Sequence, residues 1–232
     1  MNANPSILEL RDIAFGYARP GGAAKEEVLA ETNLSACAGE GIAIVGPSGC
    51  GKSTLLEIIG TLLVPDSGSV TFDGREISAL KEEERAIFRN QSLGFIFQSH
   101  RLLPQCSALE NVLLPTLAAP QREDPVEEHK RASSLLARVG LEDRLQHRPH
   151  ELSMGQRQRV AVARSLMNSP TLLLADEPTG SLDEQNSRAL LELLGELRRE
   201  MSLTTLLVTH APNVAAAMDR GVELRDGRLH SI

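Results

Sequence analysis

The order of apolar and polar residues along the chain predicts several strands separated by helices. Residues 7–17 alternate between apolar and polar side chains, which is typical of a strand, and a turn is expected at 20–22. Residues 41–46 form a short β-branched run that ends in glycine, as buried parallel strands often do. Further apolar strands are predicted at 172–175 and 205–209.

Helical patterns lie between these strands. Residues 53–59 are predicted to form a helix, and residues 126–139 carry apolar side chains at helical spacing up to Gly140, which would end the helix. Leucines in 190–197 predict an amphipathic helix. From about residue 80 to 164 the chain is rich in charged helical segments. This order predicts an α/β protein with a parallel sheet and a mainly helical insertion.

Composition narrows the class of protein. The 232 residues include 24 Lys and Arg against 31 Asp and Glu, a net charge of −7, which argues against a nucleic-acid binder that relies on phosphate neutralisation. No run approaches the roughly 18 apolar residues of a membrane span, and the first residues do not resemble a signal peptide. The three cysteines are far apart, as in a reducing compartment. We therefore expect a soluble, intracellular, acidic globular protein.

A glycine-rich segment follows the second predicted strand. Residues 46–53, Gly-Pro-Ser-Gly-Cys-Gly-Lys-Ser, fit the phosphate-loop pattern G-x-x-x-x-G-K-[ST] between a strand and a helix. Glycines let backbone N–H groups surround phosphate oxygens, and the following helix adds a favourable field for anions. Lys52 would reach the β- and γ-phosphates, and the Ser53 hydroxyl could bind Mg²⁺. The sequence therefore predicts a nucleotide site here.

Two acids end the apolar strand near residue 175. Asp176 would hold Mg²⁺, and Glu177 would polarise the water that attacks the γ-phosphate. Strands often run into charged loops, so the pair alone is a weak signal. Together with the phosphate loop it indicates a nucleotide-hydrolysing site.

Many protein families carry a phosphate loop, and the segment ahead of the acidic strand distinguishes among them. Residues 152–156, Leu-Ser-Met-Gly-Gln, resemble the LSGGQ signature of ABC-type ATPases. The resemblance covers about residues 6–230. Other positions match the family's motifs in order: the adenine-stacking aromatic residue (Tyr17), the Q-loop glutamine (Gln98), the D-loop (181–183) and the switch histidine (His210).

This resemblance implies a P-loop NTPase ABC cassette: a RecA-like parallel sheet core, an antiparallel β subdomain and a helical subdomain inserted at about 95–165 of a single 1–232 domain. It implies ATP and Mg²⁺ as ligands. The implied catalytic residues are Glu177, His210 and Gln98, and the implied metal ligands are Ser53, Gln98 and Asp176. The implied ATP-binding residues are Tyr17, Gly46, Ser48, Gly49, Cys50, Gly51, Lys52, Ser53, Thr54, Ser153, Gly155, Gln156 and Asp183.

Several residues have plainer interpretations when each is taken alone. Tyr17 could be an aromatic residue of an edge strand, His210 a hydrogen-bonded histidine at a strand end, and Cys50 a small filler residue. Met154 departs from the family by replacing the first glycine of the signature. The arginines after the signature are predicted to be solvated or interface charges: Arg157, Arg159 and Arg164.

The resemblance also implies partners. Each signature of the family contacts the γ-phosphate bound to a facing subunit, so a head-to-tail homodimer enclosing two ATP molecules is expected. The membrane domain is expected on separate permease subunits, which would place this chain peripherally at the cytoplasmic face of a bacterial inner membrane. Neither nucleic acid nor direct lipid insertion is expected.

The stretches 93–104 with 108–112 and 139–141 with 147–153 are similar to the ATP-binding subunit of the lipoprotein-releasing Lol system, and the ending 224–229 also fits. This similarity implies LolC/LolE-like membrane partners and release of lipoproteins toward the outer membrane. Macrolide or antimicrobial-peptide export with MacB-like membrane domains, and FtsE-type cell-division signalling, are the alternatives. An ABC ATPase acting on DNA or ribosomes fits less well, because the phosphate loop and signature are close together and the chain has one cassette. A nucleotide kinase would leave residues 152–156 unexplained.

Overall fold

The computed structural model describes residues 6–19 and 25–232, which belong to two compact units. The first unit combines Met1–Arg85 with Thr204–Ile232, and the second consists of Ala86–Leu203. The chain therefore leaves the first unit, builds the second and returns. The turn expected at 20–22 lies outside the described residues.

Strands and helices alternate along the chain, and the strands predicted from the apolar pattern are β1, β3, β7 and β8 below. In chain order the elements are β1 Ser6–Tyr17, β2 Glu26–Cys37, β3 Gly41–Val45, α1 Lys52–Ile59, β4 Ser67–Phe72, β5 Arg75–Glu76, α2 Glu82–Ser92, β6 Leu93–Ile96, α3 Ala108–Leu113, α4 Pro125–Arg138, α5 Met154–Ser165, β7 Leu172–Asp176, α6 Glu184–Met201, β8 Thr204–Thr209, α7 Pro212–Ala215, β9 Arg220–Arg225 and β10 Arg228–Ser231. Across residues 6–19 and 25–232, the helices are too short or too polar to cross a bilayer.

The first unit contains an antiparallel sheet in the order β2-β1-β4-β5. Strand β1 lies inside it, and its apolar positions Leu8, Leu10 and Ile13 are almost completely buried. Strands β4 and β5 are joined by Asp73 and Gly74, whose φ angles of 48° and 74° are both left-handed. That conformation matches the right-handed twist of the two strands in a tight hairpin.

The parallel part of the first unit positions its candidate site residues. Strand β3 pairs in parallel with both β8 and β9, and β10 runs antiparallel to β9. Every residue of β8 is buried, which explains its continuous apolar and β-branched sequence. Parallel strands end at the same edge of a sheet. The phosphate loop after β3 and His210 after β8 therefore leave the sheet at one edge.

The second unit contains a strand in a region that the sequence predicts to be mainly helical. Strand β6 pairs in parallel with β7, with Leu93 opposite Leu172 and Ile96 opposite Ala175. No strand is predicted at 93–96, because four uncharged residues fit a buried strand and a turn of helix equally well. Pairing with a distant strand, which local pattern does not encode, decides between the two.

Helix α4 confirms the helix predicted at 126–139. Its first residue is a proline, and the Asp124 side chain before it accepts a hydrogen bond from the Val126 N–H. The helix ends at Arg138, and Gly140 has a left-handed φ of 74°, as residues beyond helix ends often do. Its inward face is formed by alanine and leucine side chains (Ala132, Leu135 and Leu136).

A carboxylate is buried where α4 packs inside the second unit. The Glu128 side chain is only 3% exposed, and its Oε2 lies 2.6 Å from Arg122 Nη2. The Thr116 hydroxyl donates a second hydrogen bond of 3.1 Å to the same oxygen. The Arg122 hydrogen bond holds the pKa of Glu128 below the ordinary glutamate value of 4.5, with a smaller contribution from Thr116.

This pair makes the stability of the fold depend on pH. A carboxyl group whose folded pKa is lowered stabilises the fold above the unfolded pKa, and that contribution is lost as the pH falls through the folded pKa. We expect Glu128→Gln to be less stable than wild type at pH 7, with the difference shrinking below about pH 4.5. Thermal melting from pH 7 to pH 3 measures it. Glu127→Gln, at an exposed position of the same helix, is the matched control, and an equal pH response in both variants would contradict the prediction.

Candidate active site

The start of α1 has the features of a helix N-terminus that can bind an anion. Gly51 precedes the helix in a left-handed conformation with a φ of 104°, and among the described residues no side chain caps the helix. The first turn contains no acidic residue. The first N–H groups of a helix have no acceptor within the helix, so these donors point out of the N-terminus toward the loop. The positive end of the helix dipole adds to their attraction for phosphate.

Lys52 lies within this loop with only 7% of its surface exposed. Its Nζ donates to the carbonyl oxygens of Gly46 and Pro47, each at 2.9 Å. A Cβ atom at Gly51 would lie 2.6 Å from Val28 Cγ1, so glycine is required there for space as well as for its positive φ. The loop therefore holds a buried cation against its own carbonyl oxygens at the start of α1.

Tyr17 presents a half-exposed aromatic ring beside the same helix. Its hydroxyl shares a hydrogen bond of 3.1 Å with the Thr54 hydroxyl, and 46% of the residue is exposed. Phe15 packs against it edge to face, with 5.0 Å between ring centroids. The hydrogen bond to Thr54 and the contact with Phe15 thus fix the position of the ring, which can offer an apolar face to a planar group.

His210 borders a cavity of 750 Å³ in the first unit. Gly46 and Pro47 of the phosphate loop line the same cavity, together with apolar side chains such as Met218 and Ile232. His210 and the start of the phosphate loop therefore line the same cavity. This follows from the sheet, because both come directly after parallel strands that end at one edge.

In the second unit, Gln98 and Glu177 meet at Gly180. A Cβ atom at Gly180 would lie 3.3 Å from Gln98 Nε2 and 3.5 Å from Glu177 Cβ. Glu177 follows Asp176, the last residue of β7, and has a left-handed φ of 44°. Such a φ is strained for a residue with a side chain, and strain of this kind is concentrated at functional sites. Two predicted catalytic side chains, far apart in sequence, are thus neighbours.

The signature segment begins helix α5. The Ser153 hydroxyl accepts a hydrogen bond from the Gln156 N–H, and Gln156 Oε1 accepts one from the Ser153 N–H. This reciprocal pair caps the helix. Met154, which replaces a glycine of the signature, is 40% exposed. The substitution therefore adds an apolar side chain to the surface without disturbing the cap.

The signature lies against the first turn of α6 in the same unit. A Cβ atom at Gly155 would lie 3.3 Å from Asn186 Oδ1. Asp183 caps α6 and holds Asn186 through its backbone N–H at 2.9 Å and its side-chain amide at 2.6 Å. These hydrogen bonds lower the pKa of Asp183. Sequence reasoning missed Asn186, although its place three residues after a helix-capping aspartate is a recognisable signal.

Two of the three arginines after the signature, Arg159 and Arg164, differ from the prediction of solvated charges, whereas the alternative prediction of interface charges stays a prediction. Arg159 Nη1 donates to the Val139 carbonyl oxygen at 2.8 Å, and the guanidinium of Arg164 bonds the carbonyl oxygens of His100 and Arg101. Both side chains are therefore hydrogen-bonded to backbone and are not simply solvated charges. The sequence carries no signal for these contacts, because their acceptors are carbonyl groups of distant residues.

Comparison with known proteins places this geometry in a family. Residues 29–180, well over half of the chain, match the family model described as ABC transporter. The chain belongs to the ABC transporter family. The prediction made from residues 152–156 is confirmed, and so is the predicted fold class, an ABC cassette with a parallel-rich α/β sheet, an antiparallel sheet and helical elements.

Solved structures support the same assignment. A dimeric post-hydrolysis structure of the ATP-binding cassette MJ0796 with ADP and Pi is 38% identical, with a TM-score of 0.88 and 96% of each chain covered. Another dimeric structure of MJ0796, described as a bacterial ABC transporter cassette, has the same values. CbiO1 from Clostridium perfringens, part of the ABC transporter complex cbiONQ, is 29% identical over 97% of this chain and 87% of its own, with a TM-score of 0.85.

ABC cassettes are ATPases, and this cassette is therefore an ATP-binding ATPase of a transporter. Both MJ0796 structures are dimeric, one of them with the hydrolysis products ADP and Pi. The candidate residues of this chain form one group around the phosphate loop in the first unit and a second group around Gly180 and Gly155 in the second unit.

Proposed function

We propose that this cassette is the ATP-hydrolysing subunit of a bacterial inner-membrane ABC transporter that releases lipoproteins toward the outer membrane. It would dimerise on ATP and drive separate permease subunits from the cytoplasmic face. The observation that carries the ATPase part is the uncapped, positively polarised start of α1 around the buried Lys52. The lipoprotein part rests on the similarity of residues 93–104, 108–112, 139–141, 147–153 and 224–229 to the Lol subunit.

ATP binding would use the first unit. Backbone N–H groups of the phosphate loop and of the first turn of α1 would hold the phosphates, and Lys52 would turn from the Gly46 and Pro47 carbonyl oxygens to the β- and γ-phosphates. Adenine would stack on the exposed face of Tyr17. The Thr54 hydrogen bond limits rotation of the ring, which lowers the entropy lost when the base binds.

The donor set suits a magnesium ion. Ser53 supplies a hydroxyl oxygen, Asp176 a carboxylate and Gln98 an amide oxygen, which are the hard oxygen donors that Mg²⁺ prefers. When bound with the nucleotide, Mg²⁺ would supply positive charge that neutralises the charge developing during phosphoryl transfer.

Hydrolysis would use Glu177 as the general base. Its carboxylate would accept a proton from the attacking water as the water oxygen bonds to the γ-phosphorus and the bond to the ADP oxygen breaks. His210 would hydrogen-bond the γ-phosphate, and Gln98 would orient the water and metal from the position beside Gly180. The strained backbone at Glu177 would keep its carboxylate directed away from the strand.

The signature would complete the site of a second copy. Ser153, Gly155 and Gln156 of one copy would bind the γ-phosphate held by the other, with Asp183 supporting the contact through Asn186. Hydrogen bonds to a charged group contribute about 1.5–3 kcal/mol each, so a few of them can hold two cassettes together. Loss of the γ-phosphate would remove these contacts and open the dimer.

Cargo release in vesicles tests the transport proposal. The cassette is purified with the permease subunits that accompany it and reconstituted into proteoliposomes with an acylated lipoprotein, a macrolide or an antimicrobial peptide. We expect ATP to release the lipoprotein and the lipoprotein alone to stimulate hydrolysis. Stimulation by the macrolide or peptide without lipoprotein release would favour the export alternative. Vesicles carrying Glu177→Gln cassettes are the matched control and should release nothing.

A further inference from the structure

Gln98 lies in a tight turn that leads into two residues with a strained backbone conformation. The His100 N–H donates to the Phe97 carbonyl oxygen at 3.0 Å, which makes Gln98 and Ser99 the central residues of the turn. His100 and Arg101 follow with left-handed φ angles of 43° and 46°. Two consecutive residues with side chains in this conformation are sterically unfavourable. Local contacts offset part of this cost, because the Arg101 N–H donates to the Ser99 carbonyl oxygen and the Arg101 guanidinium stacks on Phe97. Contacts from outside the segment add to them.

Arg164 provides those contacts. Its Nη2 donates to the His100 carbonyl oxygen at 2.5 Å, and its Nη1 donates to the Arg101 carbonyl oxygen at 2.7 Å. The two acceptors belong to the two left-handed residues. The planar guanidinium can bond both carbonyl oxygens at once, which the single ammonium of a lysine does less well.

The surroundings of Arg164 indicate that this contact is specific. Burial and the nearby Arg101 cation lower the pKa of Arg164. Arg101 itself stacks on Phe97, with 3.9 Å from its Cζ to the ring centroid, and Phe97 stacks on Phe95. A cation that is removed from water beside another cation is in an unfavourable position, which its two hydrogen bonds to carbonyl groups must offset.

We infer that Arg164 is a positioning residue for ATP hydrolysis: it fixes the turn that carries Gln98 and ties that turn to helix α5. Ser153 begins this helix and Arg164 lies near its end, about 17 Å away along the axis. A helix of this length is stiff. Displacement of the signature end of α5 would therefore be transmitted to the turn at Gln98. The inference rests on the proposed role of Gln98 in hydrolysis.

A double-mutant cycle tests whether Arg164 acts through Gln98. The purified full chain is assayed for ATP hydrolysis as wild type, Gln98→Ala, Arg164→Ala and the double variant. We expect Arg164→Ala to lower kcat about 10-fold with less than about a 2-fold change in KM for ATP. If Arg164 acts through Gln98, the double variant is no slower than Gln98→Ala alone. Arg159→Ala is the matched control: it removes an arginine–carbonyl bond from the same helix, and its effect should multiply with that of Gln98→Ala.

Relief of the backbone strain gives a second test. Glycine adopts the left-handed conformation freely, so adding His100→Gly to Arg164→Ala should restore kcat several-fold. If Arg164→Ala does not fold, as judged by thermal melting, Arg164→Lys takes its place in the cycle, with the same dependence on Gln98 expected. Failure of His100→Gly to restore activity would overturn the inference.

The outcomes separate the two proposals. If Gln98→Ala hydrolyses ATP at the wild-type rate, the proposed role of Gln98 is wrong and the inference fails with it. If Gln98→Ala is slow but the effects of Gln98→Ala and Arg164→Ala multiply, the proposed role of Gln98 stands and only the inference is wrong.

Discussion

The Glu177→Gln cassette is expected to bind ATP normally and to hydrolyse it about 10²–10⁴ times more slowly than wild type. The amide has the shape of the carboxylate but cannot accept the proton of the attacking water. Single-turnover hydrolysis of radiolabelled ATP measures the chemical step, and equilibrium binding of a fluorescent ATP analogue measures the affinity. Because the γ-phosphate then persists, we also expect the variant to form a stable dimer with ATP, seen by light scattering.

Glu184→Gln is the matched control for this variant. Glu184 is 88% exposed at the start of α6, close in sequence to Glu177 but outside the candidate site. It should hydrolyse ATP at the wild-type rate. Near-wild-type turnover of Glu177→Gln would remove Glu177 from the role of base. A Glu177→Gln chain that stays monomeric at saturating ATP would contradict the proposed ATP-bound dimer.

Replacing Lys52 by methionine is expected to lower kcat/KM for ATP by roughly 10²–10³-fold. Methionine keeps most of the apolar stem of the side chain but removes the charge that lies between the Gly46 and Pro47 carbonyl oxygens. The first turn of α1 alone would then have to bind the phosphates. Steady-state hydrolysis and binding of the fluorescent ATP analogue measure the loss.

Lys130→Met provides the comparison for Lys52→Met. Lys130 is 66% exposed on α4 and pairs only with Glu127 among the described residues. It should leave hydrolysis unchanged, and thermal melting of both variants separates a local effect on ATP from a loss of fold. Unaltered ATP affinity in Lys52→Met would contradict the phosphate role of this lysine.

The sequence predicts those parts of the site that are local. The phosphate loop can be recognised because its glycines, Lys52 and the strand and helix around it are adjacent in the chain. The signature and the acidic strand end are recognised in the same way. Strand β6 is not predicted, because its partner β7 lies almost 80 residues away and short apolar runs do not indicate their pairing.

Contacts between distant segments are beyond such reasoning. Nothing in the chain indicates that Gln98 and Glu177 approach the same glycine, or that Arg164 bonds the backbone of His100. These contacts depend on how β6, β7 and α5 pack inside the second unit. Arginine is especially hard to place from sequence, because its long side chain fits a solvated surface as well as a hydrogen bond to distant carbonyl groups.

The position of the Tyr17 ring has one consequence for the choice between nucleotides. Its hydroxyl is engaged with Thr54, so the ring can offer a nucleobase only its face. Every purine has such a face, and the exocyclic groups that distinguish adenine from guanine lie on the edge, where stacking does not detect them. If adenine stacks on Tyr17 as proposed, this contact by itself does not select ATP over GTP.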